Sequence, residues 1–245
     1  MPQEWIDDEQ RRKKAGVPKE LTFKTKPEMA LEMLQEATNA SVPYNWVTGD
    51  CVYGDFTDIR TWLESQRKSY VLCLSGKAYL WMGLKQEKVS TVLKNLPEEG
   101  WFTASCGDGS KGAGLYDWLT LTINPGIIDG FERLLLIRRS KSDPEEKRVY
   151  ICFSPIETAK QRLVEVAGSR WTVETCFKEG KSEVGLDEYE VRKYEAWYKH
   201  ITFACIALAF LTVLSRKSLD SKSLQDHSPS SLSLEDFKKG LNLHV

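Results

Sequence analysis

Two stretches of this sequence place carboxylates where they can do chemistry. The first is Asp50, in Trp46-Val47-Thr48-Gly49-Asp50-Cys51-Val52-Tyr53-Gly54-Asp55. The run before it is aromatic and β-branched, so Asp50 stands just past the carboxyl end of a strand, where α/β sheets build their ligand crevices. The bland reading is a turn aspartate that caps the next helix. Asp55 is the better cap for that helix, which leaves Asp50 without a structural task. The second stretch is Ser169 to Lys181, in which Arg170, Glu174 and Lys181 lie at offsets 0, 4 and 11. At 3.6 residues per turn they fall within about 40° of one another on one helical stripe. A solvated face with an i,i+4 ion pair explains such a stripe equally simply. Trp171, Val173, Cys176 and Phe177 spread apolar residues around the same helix, however, and predict that it is widely buried.

Other constellations carry less. Six cysteines (Cys51, Cys73, Cys106, Cys152, Cys176 and Cys205) contain no CxxC pair. The three histidines, His200, His227 and His244, stand at no zinc-ligand spacing to them. The glycine-rich Gly107-Asp108-Gly109-Ser110-Lys111-Gly112-Ala113-Gly114 lacks the ending of a P-loop and reads as an irregular loop. Core packing is the favoured role for Tyr79, Trp81, Trp101, Tyr116 and Trp118. His200 reads as structural. Arg138, Arg139, Lys141, Arg192, Lys193 and Lys199 suit phosphate contacts and a solvated surface alike.

These residues need elements to position them. The spacing predicts helices over 27–37 and 56–66 and strands over 44–48 and 70–74, a strand–helix–strand run typical of an α/β unit. Helical periodicity then fades, and strand-like runs follow at 115–122, 134–137 and 149–153, which reads as a β-rich insertion. Helices return over 156–166, over 169–178 with Ser169 as N-cap, and over 194–215. The expected division is a charged lead-in (1–26), a first core part (27–75), the β-rich insertion (76–153), a helical core part (154–215) and a Ser-rich linker and tail (216–245). A short helix over 234–241 is expected in that tail.

The 245 residues are 41% hydrophobic and 28% charged, a globular balance with length for a buried core. The 34 basic and 35 acidic residues give a formal charge of −1, so any nucleic-acid surface must be a local patch. The first residues are charged and show no signal-peptide pattern. Ile201 to Leu214, the most apolar stretch, is short for a membrane span and is expected to be a buried helix. A cytoplasmic protein without a membrane partner is the expectation.

The Arg170-x3-Glu174-x6-Lys181 pattern resembles the core of the signature around the third acidic residue of insertion-sequence transposases of the DDE type. That signature has a tyrosine three residues before its arginine, where this chain has Ala167. The resemblance extends through Phe23-Lys24-Thr25-Lys26-Pro27, Trp46 to Asp50, Leu115-Tyr116-Asp117-Trp118, Arg138-Arg139-Ser140 and Gly185 to Arg192, from about Trp5 to Leu214.

The resemblance implies an α/β, RNase H-like catalytic core with a β-rich insertion between the second and third acidic residues. It implies Asp50 and Glu174 as those two acids, catalytic and metal-binding. Arg170 and Lys181 become contacts to DNA, with Arg138, Arg139 and Lys199 as further ones. The implied reaction is Mg²⁺-dependent cleavage and strand transfer of DNA, with two ions about 3.5–4 Å apart, by a homodimer assembled on transposon ends and target. The family's first aspartate lies upstream of anything present here. The expectation is therefore a truncated enzyme, inactive alone, with a non-catalytic DNA-binding or partner-binding remnant as the alternative.

Overall fold

The computed structural model describes residues 3–109 and 112–223. In chain order the elements are helices α1 (Gln3–Asp7), α2 (Glu9–Ala15) and α3 (Lys26–Asn39), strand β1 (Trp46–Gly49), helices α4 (Cys51–Gly54) and α5 (Thr57–Ser65), and strands β2 (Ser69–Leu74), β3 (Tyr79–Met82) and β4 (Lys85–Lys88). Then come α6 (Val89–Val92), β5 (Phe102–Gly109), β6 (Gly112–Ile128), β7 (Phe131–Ser140), β8 (Lys147–Pro155), α7 (Lys160–Ser169), α8 (Trp171–Val184) and α9 (Tyr194–Ser223). They form two compact units, Lys24–Trp171 and Met1–Phe23 with Thr172–Val245.

The first unit is built on a six-stranded sheet in the order β1-β2-β8-β7-β6-β5, with β1 and β2 parallel and every other pair antiparallel. Its central strands are continuous apolar runs such as Tyr70-Val71-Leu72 and Leu134-Leu135-Leu136-Ile137, the pattern of a sheet covered on both faces. Alternate residues accordingly enter two cores. Tyr70, Leu72, Leu135, Ile137, Ile151 and Phe153 pack on one face with Ile59 and Leu63 of α5. Val71, Leu134, Leu136, Cys152 and Trp118 pack on the other with Leu163, Val164 and Ala167 of α7. The strands of the glycine-rich middle thus continue the sheet that β1 and β2 begin, because β8 returns to pair with β2 along Tyr70↔Phe153 to Leu74↔Val149.

Local chemistry sets several boundaries. Thr25 caps α3 in a capping box with Glu28, and Pro27 occupies its first turn. α5 closes with Arg67 in the left-handed region (φ 51), while Arg67 N donates to Glu64 O and Lys68 N to Leu63 O, a Schellman pattern with arginine in the usual glycine position. Asp129 and Gly130 both have positive φ (48 and 81), which joins β6 to β7 through the tight turn that Asp-Gly favours.

Five expectations need correction. The α7 helix starts at Lys160 rather than at 156. Ser169 ends α7 instead of capping the next helix, because its hydroxyl is spent on the Val166 carbonyl at 2.8 Å. α8 is not buried: Trp171, Val173 and Phe177 are exposed, and Gly180 is its buried residue. α9 is not a buried helix either, since Phe203, Ile206, Phe210 and Val213 are exposed. Its stretch Tyr194–Lys217 (24 residues, mean hydropathy 1.5) is long and apolar enough to cross a membrane by length and composition. Finally, the described residues of the glycine-rich segment continue β5 and β6, with Asp108↔Ala113 and Gly109↔Gly112 paired, where an irregular loop is expected, and Ser110 and Lys111 lie outside the described residues. The expected helix over 234–241 lies outside the described residues.

In the second unit the Arg12 guanidinium binds the carbonyls of Ile6, Pro18, Lys19 and Leu21 and so fastens the turn after α2. His200 of α9 bonds the Gly185 carbonyl through Nε2 at 2.9 Å and meets Tyr189 edge-on, a structural role as expected.

Candidate active site at the carboxyl end of the parallel strands

Parallel pairing of β1 with β2 brings the carboxyl ends of both strands to the same edge, with Gly49 opposite Leu72. Asp50 leaves the sheet there in an extended conformation (φ −77, ψ −176) and is exposed. Its Oδ1 accepts a hydrogen bond from Val52 N at 2.9 Å, so Asp50 is the N-cap of α4. This corrects the expectation that Asp50 has no structural task. Asp55 does not cap α5, whose N-cap is Phe56 without a side-chain bond. Asp55 Oδ1 instead accepts from Ser75 N at 2.9 Å and ties the end of α4 to the end of β2. α4 lies close against β2: a Cβ on buried Gly54 would collide with the Cys73 carbonyl oxygen.

Cys73 reports who else is near. Burial, first, and the neighbouring Cys51 push its thiol pKa up, Arg148 and Arg170 pull it down, and Asp50 raises it. Asp50, Cys51, Arg148 and Arg170 therefore all act on one thiol at this edge of the sheet. Arg170 keeps helical backbone (φ −55, ψ −30) at the end of α7, and its guanidinium lies 5.8 Å from the Trp171 ring centroid. Ala167 is buried, and a Cβ on the adjacent Gly168 would collide with the Cys106 carbonyl oxygen of β5, so the end of α7 lies close against that strand.

Arg148 is the residue that sequence reasoning missed. It is the second residue of β8, and the non-local β2–β8 pairing, with Tyr150 opposite Cys73, brings its charge to bear on that thiol. A basic residue heading a strand run carries no signal of that neighbourhood.

Glu174 lies on exposed α8 and belongs to the second unit, while Asp50 and Arg170 belong to the first. Lys181, also in the second unit, pairs with Asp187 at 3.5 Å. Four other basic candidates, Arg138, Arg139, Lys141 and Lys199, are engaged with acids. Arg138 pairs with Glu146 at 3.5 Å and lies 4.2 Å over Tyr116. Arg139 pairs with Asp117 at 3.2 Å and lies 4.0 Å over Trp101. Thr103, first, and then Arg139 and Lys141 hold the Asp117 carboxyl below its ordinary pKa. Lys199 pairs with Glu195 one turn away at 2.7 Å.

A divalent cation such as Mg²⁺ takes hard oxygen donors and few protein carboxylates. Asp50 fits one such ligand: it is exposed, and beyond the bond to Val52 N its carboxylate takes no further hydrogen bond among the described residues. Glu174 offers the same donor chemistry from an exposed helix face. Among the described residues no three His, Cys, Asp or Glu side chains gather as a metal-binding group.

The mixed α/β arrangement with its six-stranded sheet is compatible with an RNase H-like core, and it puts an acidic residue at the carboxyl edge of a parallel strand pair. Residues 1–90, which contain Asp50, match the family described as DDE superfamily endonuclease. That match covers 90 of the 245 residues, and over it the chain is similar to DDE-type, transposase-like endonucleases. No curated protein matches the chain.

Proposed function

We propose that this chain serves a DNA transposase of an insertion sequence, in Mg²⁺-dependent cleavage and strand transfer. The observation that carries the reading is Asp50, exposed at the carboxyl edge of β1 within the stretch that matches the endonuclease family.

In this reading Asp50 and Glu174 are the second and third acids of the triad and hold the metal. When bound, two Mg²⁺ ions supply an activated water or 3′-hydroxyl and stabilise the leaving oxygen. Arg170 and Lys181 hold DNA phosphate beside the scissile bond, and Arg148 adds charge at the same edge as Asp50 and Arg170. Arg138, Arg139 and Lys199 are outlying phosphate contacts that must exchange their present acid partners for phosphate. The working state is a homodimer on DNA in the cytoplasm. These residues supply two of the three acids, so the chain by itself is expected to be inactive.

The test starts with the reading frame upstream of the Met1 codon. A longer product that adds a strand ending in aspartate is compared with this chain in a plasmid-nicking assay with Mg²⁺ or Mn²⁺. The longer product should nick, and Asp50→Asn or Glu174→Gln should each stop it. Nicking that survives Asp50→Asn overturns the assignment of the site. Metal-dependent nicking by this chain alone, lost in Glu174→Gln, overturns its inactivity. A stop codon next to Met1 leaves DNA binding as the function to test.

A further inference from the structure

Helix α9 is apolar on two opposite sides. Ala204, Leu208 and Ser215 mark one side; Ala204 and Ser215 are buried and Leu208 is partly so. Leu208 lies against Gly180 of α8, where an added Cβ would meet its Cδ2 at 3.6 Å. Phe203, Ile206, Phe210 and Val213 line the other side, and all four are more than half exposed. At 3.6 residues per turn the two stripes point about 160° apart, so whatever covers the first leaves the second bare. The bare stripe advances by three, four and three residues, the spacing with which one helix takes another along a seam. Four large apolar side chains in an exposed row call for a cover other than water.

The sequence after α9 holds a match. Ten residues, 224–233, separate the end of α9 at Ser223 from Leu234. Leu234, Phe237 and Leu241 then advance by three and four, in a stretch that Ser233 is suited to cap, and they lie outside the described residues. We infer that the segment 234–241 folds back as a short helix antiparallel to α9 and sets Leu234, Phe237 and Leu241 on Val213, Phe210 and Ile206. Counted backward from Val213, the α9 stripe steps by three and then four, so all three layers fall in register.

Connection length and charge both favour this direction. Val213 stands about 15 Å of helix before Ser223, and a linker of this length spans up to about 33 Å. A parallel arrangement would have to begin beside Phe203, about 30 Å back along the helix, with no slack for crossing to the stripe. Antiparallel packing brings Glu235 and Asp236 beside the exposed Arg216 and Lys217, and leaves Lys238 and Lys239 along the uncharged stretch Ile201–Ser215. The stretch of α9 that is long and apolar enough to cross a membrane thereby becomes the inner helix of a hairpin covered by its own chain. Nothing in this inference needs DNA, a metal or Asp50, so it stands apart from the proposed function.

The experiment is hydrogen–deuterium exchange of the full chain at two protein concentrations, read on peptides covering 234–241. The wild-type amides there should exchange at least about tenfold more slowly than those of an unstructured chain, equally at both concentrations. Phe210→Ser, far upstream of the peptides, should abolish that protection, and Phe210→Leu should keep most of it. Phe237→Ser leaves α9 itself unaltered; it should abolish the protection too and raise the fluorescence of a dye that binds bare apolar surface. Deleting Pro229–Ser231 leaves a linker of about 23 Å, enough for the antiparallel hairpin, and should preserve protection. Unprotected wild-type amides, or protection that survives Phe210→Ser, overturn the inference, and loss on the deletion overturns the antiparallel packing. Protection that appears only at the higher concentration assigns the stripe to a second copy. Partition into phosphatidylcholine vesicles with 234–241 exchanging freely assigns it to lipid. Either result overturns the fold-back.

Discussion

Arg133 on β7 and Glu64 on α5 are 69 positions apart in sequence and meet through a two-pronged bond, with Arg133 Nε donating to Glu64 Oε1 at 3.0 Å and its Nη2 to Oε2. The Tyr70 hydroxyl donates to the same Oε1 at 2.6 Å. One carboxylate thus satisfies the buried Tyr70 and the half-buried Arg133 and joins the helix to two strands of the sheet. Arg60 lies within its field as well. Glu64→Gln should cost about 3 kcal/mol, because it leaves the Arg133 charge half-buried without its counter-ion. Urea unfolding at neutral pH measures it, and a loss below about 1 kcal/mol would show the pair to be ornamental.

Burial, first, and the adjacent Glu64 charge push the Tyr70 hydroxyl well above its ordinary pKa. Burial likewise raises Tyr150. A raised folded-state pKa contributes stability that is fully present below the unfolded value, about 10 for tyrosine. Above that value the unfolded chain releases protons that the folded chain retains, so stability must fall as pH rises. The urea midpoint should be flat between pH 8 and 9 with respect to these groups and decline beyond pH 10. In Tyr70→Phe the decline should be shallower.

The two roles of Asp50, cap and candidate ligand, separate by substitution. Asparagine can still accept the bond from Val52 N, whereas alanine cannot. Asp50→Asn should leave the thermal midpoint unchanged and abolish metal-dependent cleavage in a chain that has all three acids. Asp50→Ala should in addition cost about 1 kcal/mol, as lost N-caps do. A cleavage-competent Asp50→Asn would leave the cap as the whole role of the residue.

Gly54 bears on the same site through packing. Because an added Cβ would meet the Cys73 carbonyl oxygen, Gly54→Ala must push α4 away from β2 or break the backbone pairing. The expected cost is at least about 2 kcal/mol. Amide chemical shifts of residues 49–55 and 72–75 should move together. A stable variant with unmoved shifts would contradict the close approach.

Arg67 stores removable strain. A non-glycine residue in the left-handed region costs roughly 1 kcal/mol, and its partner Asp129 is reached only across exposed surface, at 3.3 Å. Arg67→Gly should therefore raise stability slightly, by up to about 1 kcal/mol, rather than lower it. A clear loss in thermal unfolding would assign real strength to the Arg67–Asp129 bridge.

How much of this was legible in the sequence follows from the reach of each signal. The strand before Asp50 could be read, because Trp46-Val47-Thr48 is rich in β-formers and the chain turns at once. The cap at Asp50 could not, because α4 spans four residues and shows no period. The central strands announced themselves as apolar runs, but the return of β8 to β2, which makes one sheet of the first and middle parts, is a pairing across more than seventy residues that no local pattern encodes. α8 and α9 were misread for a different reason. Apolar residues at Trp171, Val173, Phe203 and Phe210 show what a helix is made of, and their exposure shows that composition alone does not say what lies against it.

The bond from Val52 N to Asp50 Oδ1 also bears on how readily a cation is captured. A free aspartate on a surface loop samples several rotamers and must surrender that freedom to bind. Asp50 has already surrendered it in folding, with one oxygen held by the first turn of α4 on an exposed residue. The ordering cost of about 1 kcal/mol or less that such a side chain would otherwise bring to complex formation is settled in advance. A short helix that looks too small to matter thereby tightens any ion that Asp50 receives.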